Sequence, residues 1–201
     1  MRKLILGIAA AAIIAVPVFA GKYNKVISVG QKAPELSGIP AVIGDKDATI
    51  NLKDMKEDVI VVTFIANHCP AVVATEDRVI DLAKHFQGKS VKFVGVCVND
   101  MDSDRLPAIK ARVKEKGYNF VYGYDETQKS GKAYGATNTP QFYVLDKDRV
   151  IRYTGAMDDS TFDEGKVTKT YLKDAVEALL KNESVEIAET KAVGCGIQYN
   201  K

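Results

Sequence analysis

The sequence predicts an α/β fold: a central mixed sheet flanked by helices, with an extended N-terminal extension ahead of it and a C-terminal tail behind it. Three observations predict it. Two runs, Val59 to Ile65 (VIVVTFI) and Val91 to Val98 (VKFVGVCV), are apolar and β-branched enough to be strands covered on both faces. Each is followed by a helical pattern, and a β-α-β-α order builds a parallel sheet with helices on its faces. Later in the chain two short strands are joined by a tight polar turn, which adds an antiparallel hairpin.

The chain starts with a short positive stretch, Met1-Arg2-Lys3, followed by an apolar run from Leu4 to Val16 and a small-residue site at Val18-Phe19-Ala20. This reads as a secretory leader cut after Ala20, placing the mature protein in the periplasm or outside the cell. The run of about 13 apolar residues is short against the ~20 needed to span a bilayer, and no later stretch is long enough either. Residues 21–201 are expected to form one domain. Gly30, Pro34, Gly38, Pro40 and Gly44 give its first part the look of an extended segment with turns and a hairpin.

Pro70 begins the first helix, in which Val72, Val79, Ala83 and Phe86 share one face, and Gly88 ends it. A second helix is expected from about Leu106 to Lys116, stopped by Gly117. After a short segment at Phe120 to Tyr124, a third helix is expected around Thr127 to Tyr134. Gln141 to Leu145 and Val150 to Thr154 form the hairpin around Asp146-Lys147-Asp148. A last amphipathic helix covers roughly Lys169 to Lys181, and the tail from Asn182 looks ordered only in part.

Charge excludes some partners. The chain carries 28 basic and 26 acidic side chains, and loss of Arg2 and Lys3 with the leader brings the two into balance. Such a balance argues against nucleic acid or an anionic membrane as partner. Three cysteines in an exported chain allow one internal disulfide at most, so the fold is no disulfide scaffold.

The chemistry concentrates at Ala66-Asn67-His68-Cys69-Pro70, where the first buried strand gives way to its helix. A thiol there faces unpaired amide N–H groups and the positive end of the helix dipole, and both favour thiolate. Thiolate is the reactive form, so Cys69 is the candidate nucleophile. His68 beside it is positioned to add positive charge or relay a proton. Cys97, inside VGVCV, reads as core packing. The acidic run Asn99 to Asp104 lacks the turning glycine and closing glutamate of a calcium loop and reads as helix capping in a solvated loop. No metal site is expected: His85 lies about 24 Å from Cys69 along the helix at ~1.5 Å per residue.

The stretches VVTFIANHCPAVVATEDR, VGVCVND, YDETQKSGKAYGATNTPQFYVLDKDRVIRYTGAMDD and VGCGIQY together resemble the thioredoxin-like redoxins, near peroxiredoxins and the ResA/TlpA thiol-disulfide oxidoreductases. That resemblance implies a thioredoxin fold over residues 21–201. It also implies a cis-proline at Pro140 after Thr139, facing the redox cysteine across a substrate-binding groove to which Asn67 also belongs. The backbone before such a proline is free to pair with an extended partner.

The sequence departs from the family at one position. Many relatives resemble CNHCP, and this chain has Ala66 in place of the first cysteine. The same alanine stands where peroxiredoxins carry the threonine that orients a peroxide. A one-thiol site needs a second thiol, and Cys195, between Gly194 and Gly196, is proposed to pair with Cys69, either as resolving cysteine or as a structural staple. As a staple, closing so long a loop stabilises by up to about 5 kcal/mol. An unpaired Cys195 awaiting an intermolecular partner is the rival.

The expected function is a thiol-disulfide oxidoreductase acting on protein thiols or disulfides, recycled by an unidentified reductant and needing no cofactor. Peroxide reduction by the same cysteine is the second enzyme reading. A non-catalytic binding module held by a permanent disulfide is the third.

Overall fold

The computed structural model describes residues 21–200, so the expected leader lies outside the described residues. Among the described residues, nine strands occur in the order β1 (Ile39–Ile43), β2 (Lys46–Ile50), β3 (Val59–Phe64), β4 (Val91–Cys97), β5 (Val121–Tyr124), β6 (Asn138–Thr139), β7 (Gln141–Leu145), β8 (Ile151–Gly155) and β9 (Cys195–Gly196). The α-helices are α1 (Pro70–His85), α2 (Leu106–Lys116), α3 (Lys129–Tyr134) and α4 (Tyr171–Leu180). Seven strands make the main sheet in the order β2-β1-β5-β4-β3-β7-β8, and β6 and β9 pair separately. The β3–β4 and β4–β5 pairs are parallel, while β3–β7 and β7–β8 are antiparallel. This is the mixed sheet of a thioredoxin fold.

All six residues of β3 are buried, as its sequence requires. The strand period of two sends Val59 and Val61 to one face, against Val72 and Val79 of α1, Ile109 of α2 and Leu172 of α4. Ile60, Val62 and Phe64 go to the other, against Leu36 and Tyr134. β3 is thus a rigid central strand, and whatever follows it is held from both sides.

The helix boundaries follow their punctuation. Pro70 opens α1, where its missing N–H costs nothing. Gly117, left-handed at φ 69°, closes α2 after Lys116. The third helix starts two residues later than its pattern predicts. Thr127 donates its amide and hydroxyl to one oxygen of Asp125, and Ser130 does the same to the other. That side-chain turn competes with the helix and takes its first residues.

The tail departs furthest from expectation. Rather than being ordered in part, it is fastened from Ala188 to Asn200. Thr154 donates to the Ala188 carbonyl and accepts from Thr190, and Ile197 donates to the Thr137 carbonyl. Its partners are remote in sequence, so its composition gives no sign of them. Among the described residues, no helix is long and apolar enough to cross a membrane.

Candidate active site

Cys69 occupies the N-cap of α1 in an extended conformation, φ −78° and ψ 117°. The link from β3 is short and pinned, with Ile65 donating to the Val96 carbonyl at 3.0 Å and Cys69 to the Ala66 carbonyl at 3.2 Å. The rigid strand and the helix start therefore fix the sulfur between them. Cys69 is fully buried, and its interior position is not remote from the tail. Cys69 Sγ lies 2.6 Å from Cys195 Sγ and 3.0 Å from the Thr139 carbonyl oxygen.

The backbone explains how a residue 126 positions away reaches this point. β9 pairs antiparallel with β6, setting Cys195 opposite Thr139 and Gly196 opposite Asn138. The Thr139–Pro140 bond is cis, as the resemblance implied. Of the two glycines flanking Cys195, only Gly194 is needed for the approach: a Cβ there would fall well inside contact distance of the Thr139 carbonyl. At Gly196 a Cβ would meet open space.

The two thiols divide the work of ionisation. Burial opposes ionisation of Cys69. Hydrogen bonds from the Cys195 thiol and from the Val72 and Cys195 amides, with the Thr139 side chain beside them, outweigh it, and the Cys69 pKa falls below the ordinary thiol value. The Thr139 hydroxyl is buried and finds no hydrogen-bond partner among the described residues. Cys195 is pushed up to about 11 by burial, by its bond to Cys69 and by the charges of Cys69 and Asp104. Of the two thiols, Cys69 is the one that ionises more readily and Cys195 the one that holds its proton longer. Cys195→Ala removes the largest of the bonds that favour the Cys69 anion, so the Cys69 titration is expected to move upward. Thiolate absorbance followed against pH checks this, and an unchanged midpoint would show that Cys195 does not favour the Cys69 anion.

His68 does not turn toward the sulfur. Its amide donates to Asp104 Oδ1 at 3.1 Å, and its Nδ1 lies 2.5 Å from Asp104 Oδ2. Asp104 is fully buried, which corrects the reading of the Asn99 to Asp104 run as a solvated loop. Its neighbours Asp102 and Ser103 remain exposed. The short 3-10 turn over residues 102–104 points the third side chain inward, where the His68 amide and ring compensate its charge. Asn67 binds the same loop, donating to the Ser103 carbonyl at 2.8 Å and accepting from Tyr122 Oη at 3.3 Å. Asp104 is the site residue that sequence reasoning missed. A serine-aspartate pair before a helix reads as a cap, and nothing local distinguishes a carboxylate that turns inward.

Cys97 is core, as expected. It is fully buried, and burial together with the nearby Asp104 charge pushes its thiol up to about 12. The structure thus brings together Cys69, Cys195, Thr139 and Pro140. It places His68 and Asn67 beside them, both bound to the loop that carries Asp104.

A model of the AhpC/TSA family matches residues 29–154. None of the curated proteins matches. Among solved structures, the chain is similar to a hypothetical protein from Sinorhizobium meliloti, with 31% identity over 88% of this chain and 97% of that one and a TM-score of 0.79. It is also similar to an uncharacterized conserved protein from Geobacillus kaustophilus, with 34% identity over 86% and 93% and a TM-score of 0.78. A thiol:disulfide interchange protein of the thioredoxin family from Chlorobium tepidum shares the fold at 19% identity over 76% and 98%, with a TM-score of 0.56. The matched segment ends before α4 and the tail, so Cys195 lies outside it.

Proposed function

This chain belongs to the AhpC/TSA family of thioredoxin-like redoxins, and on that premise we propose that it is an exported two-cysteine thiol oxidoreductase in which Cys69 attacks and Cys195 resolves. The observation that carries the reading is the pair of sulfurs 2.6 Å apart at a helix N-terminus, with the lowered pKa on Cys69 alone.

The cycle balances without a cofactor. Cys69 thiolate attacks one sulfur of a partner disulfide, a new S–S bond forms, and the partner's other sulfur leaves as thiolate and takes a proton. Cys195 then gives up its own proton and attacks Cys69 Sγ, expelling the partner's first sulfur. The partner ends as two thiols and the enzyme as a Cys69–Cys195 disulfide, which an external dithiol reduces. His68, aligned by Asp104, leaves its Nε2 free to exchange those protons with solvent. Thr139 and Pro140 form the wall on which the partner docks.

A hydroperoxide is the second substrate class, and the Thr139 hydroxyl favours it. This donor beside the sulfur can orient a peroxide oxygen in place of the threonine that Ala66 replaces. Attack by Cys69 forms S–O and breaks O–O, and the alkoxide takes a proton. Cys195 then forms the disulfide with release of water. Turnover of insulin and of a hydroperoxide by wild type and Cys69→Ser tests both routes. If neither depends on Cys69, the protein is a binding module.

Export has a structural correlate. The Glu189 carboxylate accepts from the amides of Lys22, Tyr23 and Asn24 at 2.9, 2.7 and 3.1 Å. A Cβ at Gly21 would lie 2.7 Å from the same carboxylate. Cleavage after Ala20 would put a new α-ammonium beside that charge. N-terminal sequencing of protein from the periplasm is expected to begin at Gly21, and an intact Met1 would refute processing.

A further inference from the structure

The tail is built as an occupant of the docking edge rather than as a simple carrier of Cys195. Its residues reproduce what an extended partner would do there. β9 adds a strand to Asn138 and Thr139, Asn138 Nδ2 donates to the Gly194 carbonyl at 3.0 Å, and Ile197 donates to the Thr137 carbonyl at 2.9 Å.

Its far end is held by one side chain. Gln128 is buried, and its carboxamide donates to the Gln198 carbonyl at 3.1 Å and accepts from the Asn200 amide at 2.7 Å. A carbonyl and an amide two residues apart are what a strand offers its neighbour, so the carboxamide stands in for a peptide group of a strand that is absent. A third bond, from Gln128 Nε2 to the Val98 carbonyl at 2.7 Å, ties this anchor to the end of β4. The Gln128 backbone is left-handed, at φ 59°, a conformation that glycine adopts more readily than a side-chain-bearing residue. Tyr199 adds a hydroxyl bond to the Ala136 carbonyl at 2.7 Å.

We propose that Gly194–Asn200, anchored by Gln128, is a detachable internal occupant of the Asn138–Thr139 edge, and that this edge also takes an extended segment of a partner protein in which glycine directly precedes a cysteine. The proposal rests on the redox reading of Cys69 and names the class of protein substrate for that site. The glycine requirement follows from the Thr139 carbonyl, which leaves no room for a Cβ at the position of Gly194. Strand addition supplies affinity without reading most side chains, so this one steric contact carries the selectivity. The segment displaces the tail and delivers its cysteine, in disulfide form, to Cys69. The returning tail then displaces the segment and brings Cys195 to attack the mixed disulfide, with the atom and electron balance given above.

The test uses the full chain carrying Cys195→Ser, so that no internal disulfide forms. The probe is a peptide copy of residues 192–200 whose cysteine carries a thionitrobenzoate. A second probe has valine in place of the glycine before the cysteine. Release of the chromophore reads attack by Cys69. The glycine peptide is expected to react at least about tenfold faster than the valine peptide, and Gln128→Gly, which removes the anchor and relieves its backbone, to raise the glycine-peptide rate roughly tenfold. Tyr199→Phe, a smaller change, is expected to raise it less. Equal rates for the two peptides overturn the edge. Rates unmoved by both substitutions overturn the latch. Failure of Cys69 to react with any small disulfide, even with Gln128→Gly, overturns the redox reading instead.

Discussion

Cys69→Ser is expected to lower turnover of insulin and of hydroperoxide by about a thousandfold or more, because a serine hydroxyl ionises far less readily than the thiol and no other side chain replaces the proposed nucleophile. Cys97 cannot substitute, since it lies in the core with its pKa near 12. Cys195→Ser separates the two halves of the cycle. Its first step survives, and the covalent adduct between Cys69 and the partner accumulates for want of a resolving thiol. Mass spectrometry of the intact protein after a single turnover reads that adduct. An adduct in Cys69→Ser, or none in Cys195→Ser, would contradict the assignment of roles. His68→Ala is expected to cost far less, because its ring is held against Asp104 rather than turned toward the sulfur.

Gly194→Ala is expected to slow closure of the Cys69–Cys195 disulfide by roughly a hundredfold, although it changes neither cysteine. The added methyl collides with the Thr139 carbonyl, and the backbone of β6 cannot yield because Thr139 leads directly into Pro140 and the buried strand β7. The tail must then lift from the edge, and Cys195 passes from a fixed position to the effective concentration of a loose chain end. Gly196→Ala serves as the control. It sits one residue beyond Cys195 with open space around it, and closure is expected to proceed at the wild-type rate. Thiol counting at intervals after addition of a mild oxidant distinguishes the two, and equal rates would show that the approach of Gly194 to Thr139 does not set the geometry.

Much of the fold is legible in the residues. VIVVTFI is a strand buried on both faces because each of its faces must be apolar. Gly117 closes α2 because the left-handed position after Lys116 favours it. Pro70 opens α1 and so places Cys69 at its N-cap. Other features were opaque. Thr127 reads as helical until the Asp125 carboxylate takes its amide. Asp104 reads as one more solvated acid until the His68 ring is found against it. The tail reads as loosely held until Thr154, Thr137 and Gln128 supply its hydrogen bonds.

The sequence alone determined the α/β order, the burial of the central strands and the placement of one thiol at the start of a helix. Those features depend on periodicity and punctuation within a few residues. Only the tertiary structure decided which thiol faces Cys69, where His68 turns and what occupies the Asn138–Thr139 edge. Each of these is a contact between groups tens of residues or more apart, 126 for the two sulfurs, and its geometry exists only once the chain has closed on itself.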